Sequence, residues 1–187
     1  RLLSSAASDV YKRQGIDCEI INHDKSEHKE KIAAENNQET FGNLSSLLKC
    51  FEVAKKDKSD LIYFVEDDYL HYEHSLVDML NTYERVSSQH KDEIIVCPSD
   101  YPFNYMNNEK TNILIGSQQH WRTITKMLCT FMISKKMFQK HIDNFEKTCE
   151  KRHEPFEKYL NKILESEIGI SPIKSLAIHM TLSLIHI

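Results

Sequence analysis

The stretch from Asp60 to His71, DLIYFVEDDYLH, carries the strongest structural signal in the chain. Leu61 to Val65 form an uninterrupted apolar run that ends on Glu66, Asp67 and Asp68. An apolar run of this length is typical of a strand that is buried on both faces, as in a parallel sheet. Ligands of open α/β sheets bind beyond the carboxyl ends of such strands, which is where the three carboxylates follow.

Three neighbouring carboxylates repel one another unless a cation or protons neutralise them. On an extended backbone the side chains of Glu66 and Asp68 point to one side, and that of Asp67 points to the other. We therefore expect a divalent cation beside this strand end. An acidic turn that follows a core strand and binds no ligand is the alternative that the residues leave open.

The two ends of the chain differ from the sequence between them. Residues 1–14 and 181–187 resemble translated sequencing-adapter read-through, and an ordinary disordered tail is the alternative. We therefore expect one natural domain at residues 15–180, cut short at one or both sides. That length is sufficient for one domain with a hydrophobic core but not for two.

The composition is typical of a globular protein and argues against several partners. Of the 187 residues, 40% are hydrophobic and 28% are charged, which is ordinary for such a domain. A net charge of −4 argues against nucleic acid or an anionic membrane surface as the main partner, and no apolar stretch is long enough for a transmembrane segment. Five scattered cysteines without a CxxC pair favour the reduced thiols of a cytosol. We expect a cytoplasmic location, with peripheral attachment at the inner face of the membrane also open.

Residue patterns elsewhere predict alternating strands and helices, and this βαβ rhythm implies parallel pairing. Strands are expected at 15–22, 93–97, 112–115 and 129–133, and at the end of 171–179. Helices are expected at 43–56, 74–86, 134–145 and 155–164. Asn43 is placed to cap the first of these helices.

Three segments, taken in order, resemble glycosyltransferases of the GT-A type, family 2-like. They are YFVEDDYLH at 63–71, SDYPFNY at 99–105 and HWRTITKMLCTFM at 120–132. The resemblance covers roughly residues 42–179 and implies an α/β fold with a Rossmann-type mixed, mostly parallel sheet flanked by helices, here N-terminally truncated. It also implies transfer of a sugar from a nucleotide-sugar donor, with a UDP-sugar as first choice, to a glycan or other hydroxyl acceptor.

By the same resemblance, Glu66, Asp67 and Asp68 form a DxD-type motif that holds Mn²⁺ or Mg²⁺ on the donor diphosphate. Asp68 would bind the metal directly, Glu66 would contact the metal or the ribose, and Asp67 would contact the cofactor or be structural. His179 would be a third metal ligand, or else an ordinary surface histidine. The chemistry agrees, because a hard cation stabilises the negative charge that grows on the leaving diphosphate.

Asp100, Trp121, Arg122 and Glu154 are the remaining candidates. Asp100 would act in catalysis by binding an acceptor hydroxyl or the donor sugar, or would only open an Asx turn. Trp121 would stack on a sugar and Arg122 would pair with diphosphate oxygens, or Trp121 would be a core residue beside a surface arginine. Glu154 would be the base that deprotonates the acceptor, unless it only supports the start of a helix.

Two other functions fit parts of this pattern. Response-regulator receiver domains also carry an apolar strand that ends in a Mg²⁺-binding acidic pair. In those domains the pair lies near the start, whereas about fifty residues of the expected domain precede Glu66. A transferase-like domain without activity, which serves binding or assembly only, is the second alternative.

Overall fold

The computed structural model describes residues 21–32, 35–106 and 108–180. A short 3₁₀ helix at Lys25–His28 precedes the first α-helix. The α-helices are α1 (Gln38–Lys56), α2 (Ser75–His90), α3 (Phe103–Met106), α4 (Lys135–Lys140), α5 (Ile142–Thr148) and α6 (Lys158–Ile163). The strands are β1 (Leu61–Phe64), β2 (Tyr69–His71), β3 (Ile94–Val96), β4 (Ile113–Ile115), β5 (His120–Ile124), β6 (Phe131–Ser134), β7 (Ile168–Pro172) and β8 (Ala177–His179).

Six of these strands form one mixed sheet in the order β1-β6-β3-β7-β5-β4, and β2 pairs with β8 in a separate ladder. The only parallel pair in this sheet, over the residues described, is β3 with β7. The α/β class is therefore confirmed, but the expectation of a mostly parallel sheet is wrong. The reason is that β6 inserts between β1 and β3 in the opposite direction, and β4 and β5 form a hairpin at the far edge.

Strand β1 lies where the acidic motif begins, but it is not the doubly buried parallel strand that its apolar run predicts. It pairs antiparallel with β6, in a register that sets Phe64 opposite Phe131. Within the described ranges it has no second partner strand, and three of its four residues are only half-buried. Apolar content alone does not separate an edge strand from a central one, because aromatic side chains can cover one face.

The other expected elements are largely present, with shifted boundaries, but the sequence does not predict three of the strands, β2, β5 and β7. Strand β7 contains Gly169 and ends on Pro172, two residue types that are depleted in strands. A side chain at Gly169 would be crowded, because an added Cβ would lie 2.5 Å from Leu164 Cδ2 and 3.2 Å from Ile124 Cγ1. The strand expected at 15–22 falls mostly outside the described residues.

The helices begin and end at positions that local hydrogen bonds explain. Asn37 caps α1, since its side chain accepts a hydrogen bond from the Thr40 N–H at 3.0 Å, so the expected cap at Asn43 is wrong. The single helix expected at 134–145 divides into α4 and α5 at His141, whose backbone leaves the helical region. None of the described helices is long and apolar enough to cross a membrane.

Two apolar clusters pack on opposite faces of the sheet. One face carries five phenylalanine rings from α1, β1, β6, α4 and α5, with centroid separations of 4.8 to 6.3 Å: Phe51, Phe64, Phe131, Phe138 and Phe145. The other face packs Trp121 with residues of α2, β3 and β7. These clusters fix the sheet between two layers of helices and leave its strand ends as the accessible edge.

The strand directions bring the polar segments to one edge of the sheet. Strands β1, β3 and β7 run the same way, because β6 is antiparallel to both β1 and β3 and β7 is parallel to β3. Their carboxyl ends therefore share an edge with the amino ends of β5 and β6. We call this the carboxyl edge. It collects the segments that follow β1, β3 and β7, as the strand-end argument requires.

We predict that Gly116→Ala destabilises the protein, because an added Cβ would overlap the buried Trp121 ring and lie 2.9 Å from Thr82 Oγ1. Overpacking of this kind costs about 2–3 kcal/mol in unfolding free energy. The matched control is Gly42→Ala within α1, where the added Cβ meets only the movable Lys25 ammonium at 2.7 Å. That change should be neutral or stabilising by up to about 1 kcal/mol. Urea unfolding of both variants tests the prediction, and equal midpoints would contradict the tight packing around Trp121.

Candidate active site

The β2–β8 ladder brings together two residues that are far apart in sequence. Tyr69 pairs with His179 in the ladder, and the Met180 N–H donates to the Asp68 carbonyl at 2.8 Å. As a result the His179 Nε2 lies 3.2 Å from Asp68 Oδ2. The structure thus unites the carboxylate and the imidazole that the resemblance places on one metal. No set of three metal-binding side chains already arranged for a cation occurs in the described segments.

Glu66 lies near Asp68, and a threonine just before β6 holds it there. We call the group of Glu66, Asp68 and His179 the acidic corner. The Glu66 N–H donates to Thr130 Oγ1 at 3.0 Å, and the Thr130 hydroxyl faces Glu66 Oε2 at 3.2 Å. The β1–β6 register explains this contact, because Phe64 lies opposite Phe131 and so brings Thr130 to the end of β1. The carboxylate is therefore fixed in place rather than free in a turn.

Burial and like charge perturb the Glu66 carboxyl. Desolvation raises its pKa to about 7, and the neighbouring charges of Asp68, Glu157 and Asp67 act in the same direction. Only the hydrogen bond from Thr130 opposes them. The carboxyl therefore lies close to its titration midpoint at neutral pH, and a cation in this corner would favour its charged form.

A second glutamate approaches this corner from the start of α6. Glu157 is half-buried and makes no side-chain capping hydrogen bond to its helix. Burial raises its pKa, and its charge contributes to the raised pKa of Glu66. Glu154, the residue that the sequence favours as a base, is exposed instead. Of the two, Glu157 is the one placed towards the acidic corner.

Tyrosine hydroxyls connect this corner to the segment that follows β3. Tyr69 and Tyr101 are buried and hydrogen-bond through their hydroxyls. The Ser99 hydroxyl also donates to the Ala177 carbonyl of β8 at 2.7 Å. Desolvation raises the pKa of both tyrosines, so they stay protonated over the neutral range. The β3 segment and the acidic corner are thereby parts of one packed unit.

Asp100 and Arg122 form a second charged cluster on the same edge. Arg122 Nη1 lies 3.8 Å from Asp100 Oδ1, with 12% of the arginine side chain and 8% of the aspartate side chain exposed. The Tyr105 hydroxyl donates to Asp100 Oδ2, and the Asn104 amide lies 3.4 Å from Oδ1. The Tyr105 ring lies over the guanidinium, 4.2 Å from its central carbon.

Trp121 and Asp67 lie in surroundings that differ from those of the other candidate residues, since one is fully buried and the other is exposed. Trp121 is fully buried in the core on the α2 side of the sheet, so the expectation that its ring stacks on a sugar is wrong, and the core alternative holds. Its position in β5 determines this, because successive residues of a strand face opposite sides and Arg122 takes the other face. Asp67 is exposed and lies with Asp68 in a turn, so the extended backbone expected there is not formed.

Residue type and position could have identified some of the contacts that the sequence reading missed. Thr130 sits one residue before a strand, where a hydroxyl can meet the neighbouring strand end. No spacing in the sequence signals that Tyr69 and Tyr101 pair, since they lie 32 residues apart. Nothing in the spacing signals Glu157 over Glu154, since the choice depends on how the loop before α6 folds.

A scan against models of protein families finds none that matches the chain, and a search of curated proteins finds no significant match. The resemblance to GT-A transferases therefore stays a prediction.

We predict that Glu66 makes stability depend on pH in the metal-free protein. Folded Glu66 keeps its proton up to about pH 7, whereas the unfolded chain releases it near 4.5. The folded state therefore binds more protons in this window, and the unfolding free energy should fall by about 2 kcal/mol as pH rises from 5 to 7. Glu66→Gln should remove this contribution, while Glu73→Gln at an exposed position should keep it. Chemical unfolding at several pH values, with chelator present, measures the unfolding free energy. The same dependence of that free energy on pH in wild type and Glu66→Gln would contradict the burial of this carboxyl.

Proposed function

We propose that the protein is a metal-assisted glycosyltransferase that binds a nucleotide-sugar diphosphate at the carboxyl edge and passes the sugar to a hydroxyl acceptor. The contact between Asp68 and His179, 3.2 Å apart across the β2–β8 ladder, carries the proposal. A carboxylate and an imidazole that meet at the ends of sheet strands, beside Glu66, suit a phosphate-bound cation better than a structural ion pair.

The donor set fits Mn²⁺ or Mg²⁺ as a two-residue corner. Mg²⁺ in particular usually takes one or two protein carboxylates and completes its sphere with substrate phosphates and water. Asp68 and His179 would supply the protein ligands, with Glu66 beside them. Since no three-ligand group exists in the portion of the chain described, the donor diphosphate would be required for firm binding. Metal and nucleotide should therefore bind cooperatively.

The chain's own residues supply positioning and proton transfer. A bound cation would stabilise the negative charge of the departing diphosphate. Thr130 holds Glu66 in place, and the Tyr69–Tyr101 pair fixes Asp68 through the adjacent residue. Glu157, whose pKa is raised by burial, is a better placed acceptor-deprotonating base than the exposed Glu154, because a base works best with a pKa near the working pH.

The receiver alternative is disfavoured by the sheet. Receiver domains of the CheY type are doubly wound on a parallel sheet, whereas β1 here is paired antiparallel and lies at the sheet edge as described. The inactive binding module is an outcome of the experiments that follow, since it would bind nucleotide without transferring or hydrolysing the sugar.

We predict that Asp68→Asn abolishes the metal-dependent part of UDP binding, and that Asp67→Asn leaves it unchanged. The two carboxylates are adjacent, but Asp67 is exposed and Asp68 contacts His179. Loss of one direct ligand should weaken UDP affinity by tenfold to a hundredfold in the presence of Mn²⁺, about 1.4–2.8 kcal/mol. Isothermal calorimetry with UDP, with Mn²⁺ or with chelator, measures the change.

Wild-type protein that binds UDP equally with Mn²⁺ and with chelator would contradict the proposal. Equal losses in both variants would indicate a general effect of negative charge rather than a ligand role for Asp68. Binding without release of UDP from UDP-sugars over a panel of acceptors would favour the inactive module.

A further inference from the structure

Arg122 is a largely buried cation, and part of its hydrogen-bonding capacity is unused among the residues that the structure describes. Its Nε and Nη1 are buried and have no hydrogen-bond partner within the described residues. The nearest acid, Asp100, lies 3.8 Å from Nη1, beyond hydrogen-bonding distance. Because leaving charged donors unsatisfied in a protein interior is costly, this arrangement calls for a partner.

Asp100 does not supply that partner, since its oxygens are engaged elsewhere. Oδ2 accepts from the Tyr105 hydroxyl, and Oδ1 faces the Asn104 amide at 3.4 Å. The Tyr105 ring lies over the face of the guanidinium. The nitrogen donors lie in the guanidinium plane, so this stacking leaves them available.

A serine on the neighbouring strand adds a further unused hydroxyl. Ser171 is the direct register partner of Arg122 in the β5–β7 ladder, so both side chains leave the same face of the sheet. The Ser171 hydroxyl is buried and also lacks a hydrogen-bond partner in the part of the chain described. A guanidinium and a hydroxyl on one face form a donor set that suits a carboxylate or a phosphate.

This donor set lies along the carboxyl edge from Glu66. Arg122 belongs to β5, which is three to four strand positions from the β6–β1 corner where Glu66 lies. Neighbouring strands are about 4.8 Å apart, so roughly 14–19 Å separate Arg122 from Glu66. A diphosphate bound beside Glu66 is shorter than that separation, so the saccharide that it carries is the better match for Arg122.

We infer that Arg122, with Ser171, binds an anionic substituent on the saccharide end of the substrate, a uronic carboxylate or a sugar phosphate. The inference rests on the proposed function and deepens it, since it restricts the acceptor or the transferred sugar to the acidic class. Arg122 would then contact the saccharide, whereas the sequence analysis expects it to pair with the diphosphate. Asp100 and Tyr105 are then positioning residues that hold the guanidinium plane in place.

Direct binding of simple probes tests the inference. The probes are methyl glucuronide, glucose 6-phosphate and the neutral methyl glucoside, titrated at equal ionic strength while the Arg122 Nε–H resonance is followed by NMR. At least one anionic probe should bind about tenfold or more tightly than the glucoside, as expected for one charge-assisted pair, and should shift that resonance. Comparison of the two anionic probes distinguishes carboxylate from phosphate.

Variants connect the preference to the residue. Arg122→Gln should remove the anionic preference and leave Mn²⁺-dependent UDP binding intact, whereas the control Arg85→Gln, at an exposed position of α2, should change neither. If Arg122→Gln fails to fold, Arg122→Lys, which keeps the charge but not the paired donors, should weaken the preference by severalfold. An equal affinity of wild type for all three probes, or a preference that survives in Arg122→Gln, would overturn the inference. Loss of UDP binding with the anionic preference retained would instead overturn the proposed function alone.

Discussion

The pairing of β2 with β8 is the constraint on which the rest of the carboxyl edge depends. It joins a segment that follows the first strand to one that follows β7, and so places His179 against Asp68. This contact sets a carboxylate and an imidazole next to each other, close to Glu66. The hydrogen bond between the Tyr69 and Tyr101 hydroxyls then connects this ladder to the segment that follows β3.

The two ends of the carboxyl edge have opposite electrostatic character. At the β1–β6 end, burial and neighbouring carboxylates raise the pKa of Glu66, so this end attracts cations or protons. At the β5 end, two buried nitrogens of Arg122 have no hydrogen-bond partner within residues 21–32, 35–106 and 108–180. A substrate that carries a metal-bound diphosphate at one end and a negative group at the other would match both. Substrate length, rather than pocket depth, would then provide much of the specificity.

The sequence predicted the chemistry of the edge better than its topology. The acidic strand end, the segment after β3 and the late histidine could be placed together, because strand ends gather polar residues in any α/β sheet. The parallel order could not be predicted, since β6 reverses direction and an apolar run such as Leu61 to Val65 suits edge and central strands alike. Trp121 and Arg122 show a further limit, because one residue of register in β5 decides which of them packs on the α2 side of the sheet. Glu157 depends on a loop conformation that no periodic pattern encodes.

We propose that Asp68 and His179 together hold a cation on a nucleoside diphosphate. Anomalous diffraction from crystals grown with Mn²⁺ and UDP is the sharpest test, because the manganese signal locates the ion without regard to the protein density. We expect a single strong peak within bonding distance of an Asp68 carboxylate oxygen and His179 Nε2, beside the diphosphate. A manganese peak at another place on the protein, or bound UDP with no manganese beside Asp68, would refute this assignment.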